Sequence, residues 1–555
     1  LHTGNESTFE VRVISKRIDY FSLALCAFGL VGLCVGVLLP FTQASIPPLI
    51  DYPNHLARIH VLKSLAVSSE FEGIYEAAWG PIPNLAMDAI TVFGLPFLNS
   101  EAAGFVFLLL AVAVFIGGSL TLNATLFGRL HIGLALPFLT ALNIVFAWGF
   151  LNFYFSVGLM LFSVSVLIQA QRREAPLLYL ALSVLLVALY FSHIFGYLFC
   201  LAISFAYLVN VNASRLRSPL AIKSFVRFTF CVIPSLAIFA FNHFLSDAGL
   251  EPMPMGSWWG DLHNKAMAFL GIGLFQGDAP DWAVCIFVLL LYLWLGLTGR
   301  VSIAPSMRLA LGGLFVGTIG LPAVLFGVFL DARVGLIFMA LLVASSCFEV
   351  KNTRINTALV ALAVCLSIFK GSSIAANWNA FSENVDELKS AVAQITPRSK
   401  VIGAFDLPGS RPELTYSTQW RMATGARNMH QPSGFLSFRN IDSLAVIFGN
   451  AFVPTLFTYP STQPIRTERD LLHLDPIRPS RALTTALLFG VLDEEHRQNI
   501  LGVAVGRNER IYYAEWPQDF DYLIVFGPPK TEQVENLQVI ENGSFFKIYR
   551  IKAPS

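Results

Sequence analysis

The chain has 555 residues, 55% of them hydrophobic and 13% charged, with 48 Phe and a formal net charge of +1. Soluble globular proteins carry about 25% charged residues, so this composition excludes a soluble enzyme, a disordered chain and a disulfide scaffold. The balanced charge provides no basic excess for nucleic-acid binding.

A polytopic membrane protein remains, given apolar runs of about 20 residues. Residues 21–41 carry no charge and are long enough to span. The run is too long for a signal-peptide core and lacks a small-residue cleavage site, so it reads as a retained helix. Further spans are expected over about 102–127, 132–148, 150–169, 176–191, 194–211, 224–245, 282–298, 308–329, 334–349 and 355–370. The run 177–210 would be about 50 Å long as one helix, against a hydrocarbon core of about 30 Å. It must turn back, and Ser192, His193 and Gly196 mark the polar place to do so. The same length argument breaks 132–169 at Trp148-Gly149-Phe150-Leu151-Asn152. All seven Cys (Cys26, Cys34, Cys200, Cys231, Cys285, Cys347, Cys365) lie in apolar segments without metal-ligand spacing and read as helix filler.

Segment 81–99 is apolar but short and contains Asp88. If it does not span, Lys16/Arg17, Arg129, Arg172/Arg173, Arg215/Arg217/Lys223, Arg300/Arg308 and Lys351/Arg354 share one side. That is the positive-inside pattern, from which only Arg333 departs among the short loops. About eleven spans follow, with the N-terminus in the cytoplasm and residues 371–555 outside. This tail has ordinary charge, a helical stretch over 385–395 and strand-like runs over 401–405, 522–526 and 545–549, and reads as a mixed α/β domain. The division is therefore a membrane module over 1–370, with surface helices in loop 42–101, and a soluble domain over 371–555.

The unusual residues gather on the outer side. Asp51, His55 and Arg58 stand at i, i+4 and i+7 behind Pro53, a residue suited to a first helical turn. The plainer reading makes Asp51 an N-cap and Arg58 a headgroup anchor. Asp88 at membrane depth would cost about 2.5–3.5 kcal/mol, so it either surfaces at the interface or faces a polar cavity with Asp51. His193 and Asn152 sit at turns between spans. Asp331 and Arg333 form either a local pair or, through the guanidinium fork, a phosphate ligand. Trp258 and Trp259, in loop 246–281, fit interface anchoring or stacking on a sugar or lipid. Together these residues suit chemistry at an outer leaflet, where a lipid-linked substrate keeps its tail in the bilayer and its phosphate at the interface.

The layout resembles the GT-C integral-membrane glycosyltransferases, such as the protein O-mannosyltransferases and the aminoarabinose transferases of lipid A. The matching element is Ile50-Asp51-Tyr52-Pro53-Asn54-His55 just after the first span, and 81–98 resembles their proline-led surface helix. The adjacent acidic pair of many members is absent, since Tyr52 follows Asp51. The resemblance implies a polyprenyl-phosphate sugar donor, inversion at the sugar carbon, and a glycan, lipid or protein acceptor. It makes Asp51 the candidate base and Asp88 an acceptor-orienting group or, with Asp51, a ligand for a divalent cation. Arg58 and Arg333, helped by His55 and His193, would hold the donor phosphate. Asn54, Asn152, Trp258, Trp259 and Asp331 would line the substrate site. The location implied is a bacterial inner membrane, in contact with its lipids, with the tail in the periplasm. A lipid or polysaccharide transporter, a non-catalytic assembly subunit of a cell-envelope glycan pathway, and a lipid-linked phosphotransferase or ligase remain as other readings.

Overall fold

The computed structural model describes residues 20–244, 258–325, 328–406, 440–458, 462–476, 483–498, 511–527 and 536–552. Lys16 and Arg17 lie outside these described residues.

Helix α1 (Tyr20–Leu38) leads into a long connection holding α2 (Tyr52–Leu65), β1 (Tyr75–Ala77) and α3 (Ala86–Ala89). A π-helical turn over Ile90–Gly94 extends α3, so segment 81–99 contains only a short helix. The bundle continues with α4 (Ser100–Phe127), α5 (Leu136–Ala141), α6 (Ile144–Ala147), α7 (Leu151–Arg173), α8 (Pro176–Ser192), α9 (Ile194–Val211) and α10 (Pro219–Phe244). Next come α11 (Leu262–Leu270), α12 (Ala279–Leu297), β2 (Val301–Ile303), α13 (Arg308–Gly320), β3 (Val324–Leu325), β4 (Val328–Phe329), α14 (Leu330–Ala344), β5 (Ser346–Phe348) and α15 (Thr353–Val392).

Among the described residues, six helices (α4, α7, α9, α10, α12 and α15) are long and apolar enough to cross a membrane. Helix α1 and the shorter α5, α6, α8, α13 and α14 occupy the other expected positions. Leu177 (73% exposed), Phe230 (67%) and Leu297 (80%) present apolar side chains outward. That arrangement suits a lipid solvent, where outward-facing groups need no water.

Local chemistry explains where the helices depart from the expected spans. The run 132–148 is bent because the Asn143 side chain accepts hydrogen bonds from the Val145 and Phe146 N–H groups, both at 3.1 Å, and starts a new helix there. Instead of continuing to 329, α13 ends at Gly320, and the chain enters the β3–β4 hairpin. The 40 residues of α15 pass through 370/371 without a break. At 1.5 Å per residue this helix is about 60 Å long, twice the hydrocarbon thickness, so its second half stands clear of the bilayer. The first half packs on α1 at a glycine crossing, where a Cβ on Gly371 would collide with the Gly36 carbonyl. The second half sets Trp378 against Phe41 and Phe275 of the membrane module, and further along buries Val385, Leu388 and Val392.

The domain holds a four-stranded sheet of β6 (Val401–Phe405), β8 (Tyr522–Phe526), β10 (Phe546–Ile551) and β9 (Leu537–Asn542), in that spatial order. Its β6–β8 pair is parallel and the others are antiparallel. Several contacts fasten the domain to the α1–α4 connection. β1 pairs antiparallel with β7 (Ile465–Thr467). Arg398 donates to the Ser69, Glu70 and Glu72 carbonyls. Helix α16 (Leu444–Gly449) packs on α2.

The two ends of the bundle differ in chemistry. At one end Arg129 pairs with Glu349 at 2.6 Å, Lys223 with Glu174 at 3.1 Å, and Arg172 donates to the Thr125 carbonyl. At the other, α2, α3, the α6–α7 turn, the α8–α9 turn and the start of α14 converge beneath the C-terminal domain.

Candidate functional site

Pro53 lies in the first turn of α2, with Asp51 at the N-cap position. The Asp51 side chain makes no capping hydrogen bond. Its Oδ1 instead accepts from Asn440 Nδ2 at 3.0 Å, and the same amide nitrogen donates to the Ile50 carbonyl at 3.1 Å. The Ile50 and Asp51 N–H groups donate to the Ala147 and Trp148 carbonyls. This approach requires glycine next: Gly149 has φ +79°, and a Cβ there would stand 2.7 Å from the Asp51 nitrogen. Asp51 is 8% exposed.

Arg58 and Asp88 meet behind it, both 0% exposed. Arg58 Nε reaches Asp88 Oδ1 at 2.7 Å and Nη2 reaches Oδ2 at 2.8 Å, a two-point pair that satisfies a carboxylate otherwise costly to bury. Nη2 also donates to His55 Nδ1 at 3.0 Å. His55 Nε2 faces the Gly149 carbonyl at 3.2 Å, which places the ring proton on Nε2. Burial, reinforced by the Arg58 charge, holds the imidazole well below its ordinary range, so the ring is neutral. A chain of bonds thus runs from Asp88 through Arg58 and His55 to the peptide that lies against Asp51.

Arg333, in the first turns of α14, lies over the rings of Phe150, Phe153 and Phe195 at 4.7, 5.5 and 5.4 Å. Stacking suits a weakly hydrated, planar guanidinium. Its Nε is buried without a hydrogen-bond partner among the described residues. Asp51 and His193 both lie within electrostatic range of it. His193 shares the cage, with ring centroids 5.2 Å from Phe153 and 5.7 Å from Phe195, and its Nδ1 accepts the Phe195 N–H. Asp51, His55, Arg333 and His193 therefore meet at one end of the bundle, with Arg58 and Asp88 behind them.

No family model matches the sequence, and no curated protein matches it. Among solved structures, ArnT from Cupriavidus metallidurans in the apo state aligns over 95% of this chain and 98% of its own, with 11% identity and a TM-score of 0.50. ArnT from Cupriavidus metallidurans bound to undecaprenyl phosphate aligns over 96% and 98%, with 10% identity and a TM-score of 0.45. The chain has the fold of ArnT. The likeness spans both the bundle and the C-terminal domain.

Other expected site residues make contacts within the framework around this end. Asn54 clamps the C-terminal domain, donating to the Thr455 carbonyl and accepting the Phe457 N–H, both at 2.7 Å. Asn152 accepts the Met87 N–H and donates to the Asn84 carbonyl, tying α7 to segment 81–99. Asp331 lies 3.6 Å from Lys265, which donates to the Leu321 carbonyl. Trp258 and Trp259 are 42% and 59% exposed, and Trp258 bridges through its backbone to Val324. Both Asp88 oxygens accept from Arg58, and no group of three His, Cys, Asp or Glu among the described residues could hold a metal. The Asp51/Asp88 pair thus does not fit a divalent cation, which takes several oxygen ligands.

Lys265, Asn440 and the three Phe rings around Arg333 went unread in the sequence. Lys265 carried a signal, as a lone Lys in loop 246–281 against the charge bias. Asn440 carried none: its partners precede it by almost 400 residues.

Proposed function

We propose that the chain transfers a sugar from a polyprenyl-phosphate donor to an acceptor hydroxyl at the outer face of a bacterial inner membrane. The observation that carries this reading is the convergence of Asp51 with Arg333 at the end of the bundle opposite the basic clusters. The charge bias supports an extracytosolic placement of that end, with the N-terminus cytoplasmic and the C-terminal domain periplasmic. The GT-C fold supports the class of reaction, and a donor of this kind matches a site at the mouth of a lipid-facing bundle.

Asp51 takes the proton from the acceptor hydroxyl as its oxygen attacks the anomeric carbon. The bond from that carbon to the phosphate oxygen breaks, and the polyprenyl phosphate leaves with the electron pair. Arg333 holds the phosphate and the charge that grows on it, with the His193 Nε2–H as a second donor. A single displacement inverts the sugar carbon. Arg58 and Asp88 act through His55 on the turn that seats Asp51, and the Phe cage keeps the guanidinium desolvated, where its charge counts for more.

The test is sugar transfer by purified full-length protein carrying Asp51→Asn, which keeps the shape and removes the base. Turnover should fall at least about a hundredfold, within the contribution of a general base. Turnover within a few-fold of the wild type would remove Asp51 from that role.

A further inference from the structure

Asn440 belongs to the C-terminal domain, yet its side-chain amide is spent on the other half of the chain. It is 6% exposed, and Nδ2 lies 3.1 Å from the Ile50 carbonyl and 3.0 Å from Asp51 Oδ1. An amide nitrogen has two hydrogens, so one donor group bridges the backbone of residue 50 and the carboxylate of residue 51. Such a bridge fixes the Asp51 rotamer against its own main chain. A hydrogen bond donated to a carboxylate also favours the ionised form.

The loop that carries Asn440 is itself tied to α2. Asp442 Oδ2 accepts from Thr455 Oγ1 at 2.7 Å, and the Thr455 carbonyl accepts from Asn54. Asn54 stands three residues beyond Asp51 on the same helix. Among the described residues, the elements around Asp51 bring charged groups of both signs. α14 brings Arg333, α2 brings neutral His55 and Arg58 already paired with Asp88, and the C-terminal domain brings buried Asp442. The α6–α7 turn adds Trp148, Gly149 and Phe150, none of which titrates.

We propose that Asn440 is a positioning residue of the site, through which the C-terminal domain holds the Asp51 carboxylate in its working orientation and keeps it ionised. The domain then completes the site rather than merely capping it. This inference rests on the transferase reading above, in which Asp51 is the base.

The experiment compares full-length wild type, Asn440→Ala, the isosteric Asn440→Asp and Asp51→Asn for sugar transfer across pH. Thermal unfolding runs in parallel on these proteins and on the double variant Asp51→Asn/Asn440→Asp. Asn440→Ala should lower kcat about tenfold or more, with KM for the lipid-linked donor within about threefold. The acid limb of its pH profile should move up by about one unit, because Asp51 loses a donor to its charged form. Asn440→Asp, with an acceptor in place of both donors, should shift the limb further. The double variant restores one donor and one acceptor in reversed order, so it should unfold at a higher temperature than Asn440→Asp alone while remaining inactive. An inactive Asp51→Asn with an unshifted acid limb in both Asn440 variants overturns the inference and leaves the transferase reading standing. So does a kcat that falls only in step with the folded fraction. Retained turnover in Asp51→Asn overturns the reading, and the inference with it.

Discussion

The Arg58 guanidinium and the Asp88 carboxylate bond at two points, 2.7 and 2.8 Å, with neither side chain reaching solvent. Removing one partner strands the other charge, at a cost of about 3–5 kcal/mol. Asp88→Ala should therefore lower the unfolding temperature sharply, whereas Arg58→Met with Asp88→Leu should recover most of the loss. Thermal unfolding of the two variants checks this. A silent Asp88→Ala would show that the pair does not hold the connection together.

Gly149 meets Asp51 at the other side of the same network. Alanine at φ +79° is strained, and its Cβ would press on the Asp51 backbone. Gly149→Ala should cut transfer more than about tenfold, since displacing a reacting group by about 1 Å is enough for such a loss. A variant with full activity would mean that the turn can shift without moving Asp51.

Arg333→Lys keeps the positive charge but loses the planar fork and its stacking on Phe150, Phe153 and Phe195. A hydrogen bond to a charged group is worth about 1.5–3 kcal/mol, so kcat/KM should fall about ten- to hundredfold. Kinetics with varied lipid-linked donor measure it, and an unchanged kcat/KM would exclude Arg333 as a phosphate ligand.

Burial pushes the Asp442 carboxyl up from 3.8 to about 6. The folded state therefore binds this proton more readily than the unfolded chain. The stability linked to it is fully present below about pH 4 and is lost as pH rises through 6. Asp442→Asn keeps an acceptor for Thr455 and carries no charge to bury. It should be more stable than the wild type above pH 6, by up to about 3 kcal/mol, with the gap closing below about pH 4. Unfolding midpoints across this range decide it, and a gap independent of pH would refute the titration.

His55 has the opposite sign. Its folded pKa is depressed, so the stability it contributes is present above about pH 6.5 and declines as pH falls and the unfolded chain takes up the proton. The wild type should lose unfolding temperature between pH 6.5 and 5, and His55→Gln should flatten that slope. An equal slope in both proteins would place the acid sensitivity elsewhere.

The membrane helices were legible because each is written locally: an uninterrupted apolar run of sufficient length closes its own backbone hydrogen bonds. The strands at 401–405 and 522–526 were legible as short apolar, partly β-branched and aromatic runs, although their backbone bonds close only between strands far apart in sequence. The bend at Asn143 was not, because a single side-chain cap overrode an apolar run that reads as one helix. The continuity of α15 across 370/371 was also missed. Composition changes there because the surrounding solvent changes from lipid to water and protein, while the helix itself continues.

The chain by itself thus determined its solvent, its helices, the side on which its positive charges collect, and the acidic residue that follows the first span. These depend on hydropathy, length and charge, which are properties of neighbouring residues. Only the tertiary structure decided that Arg58 belongs to Asp88, that three rings from the α6–α7 turn, α7 and α9 enclose Arg333, and that Asn440 reaches Asp51. Those partners lie far apart along the chain, and directional bonds between them exist only once packing has fixed distance and angle.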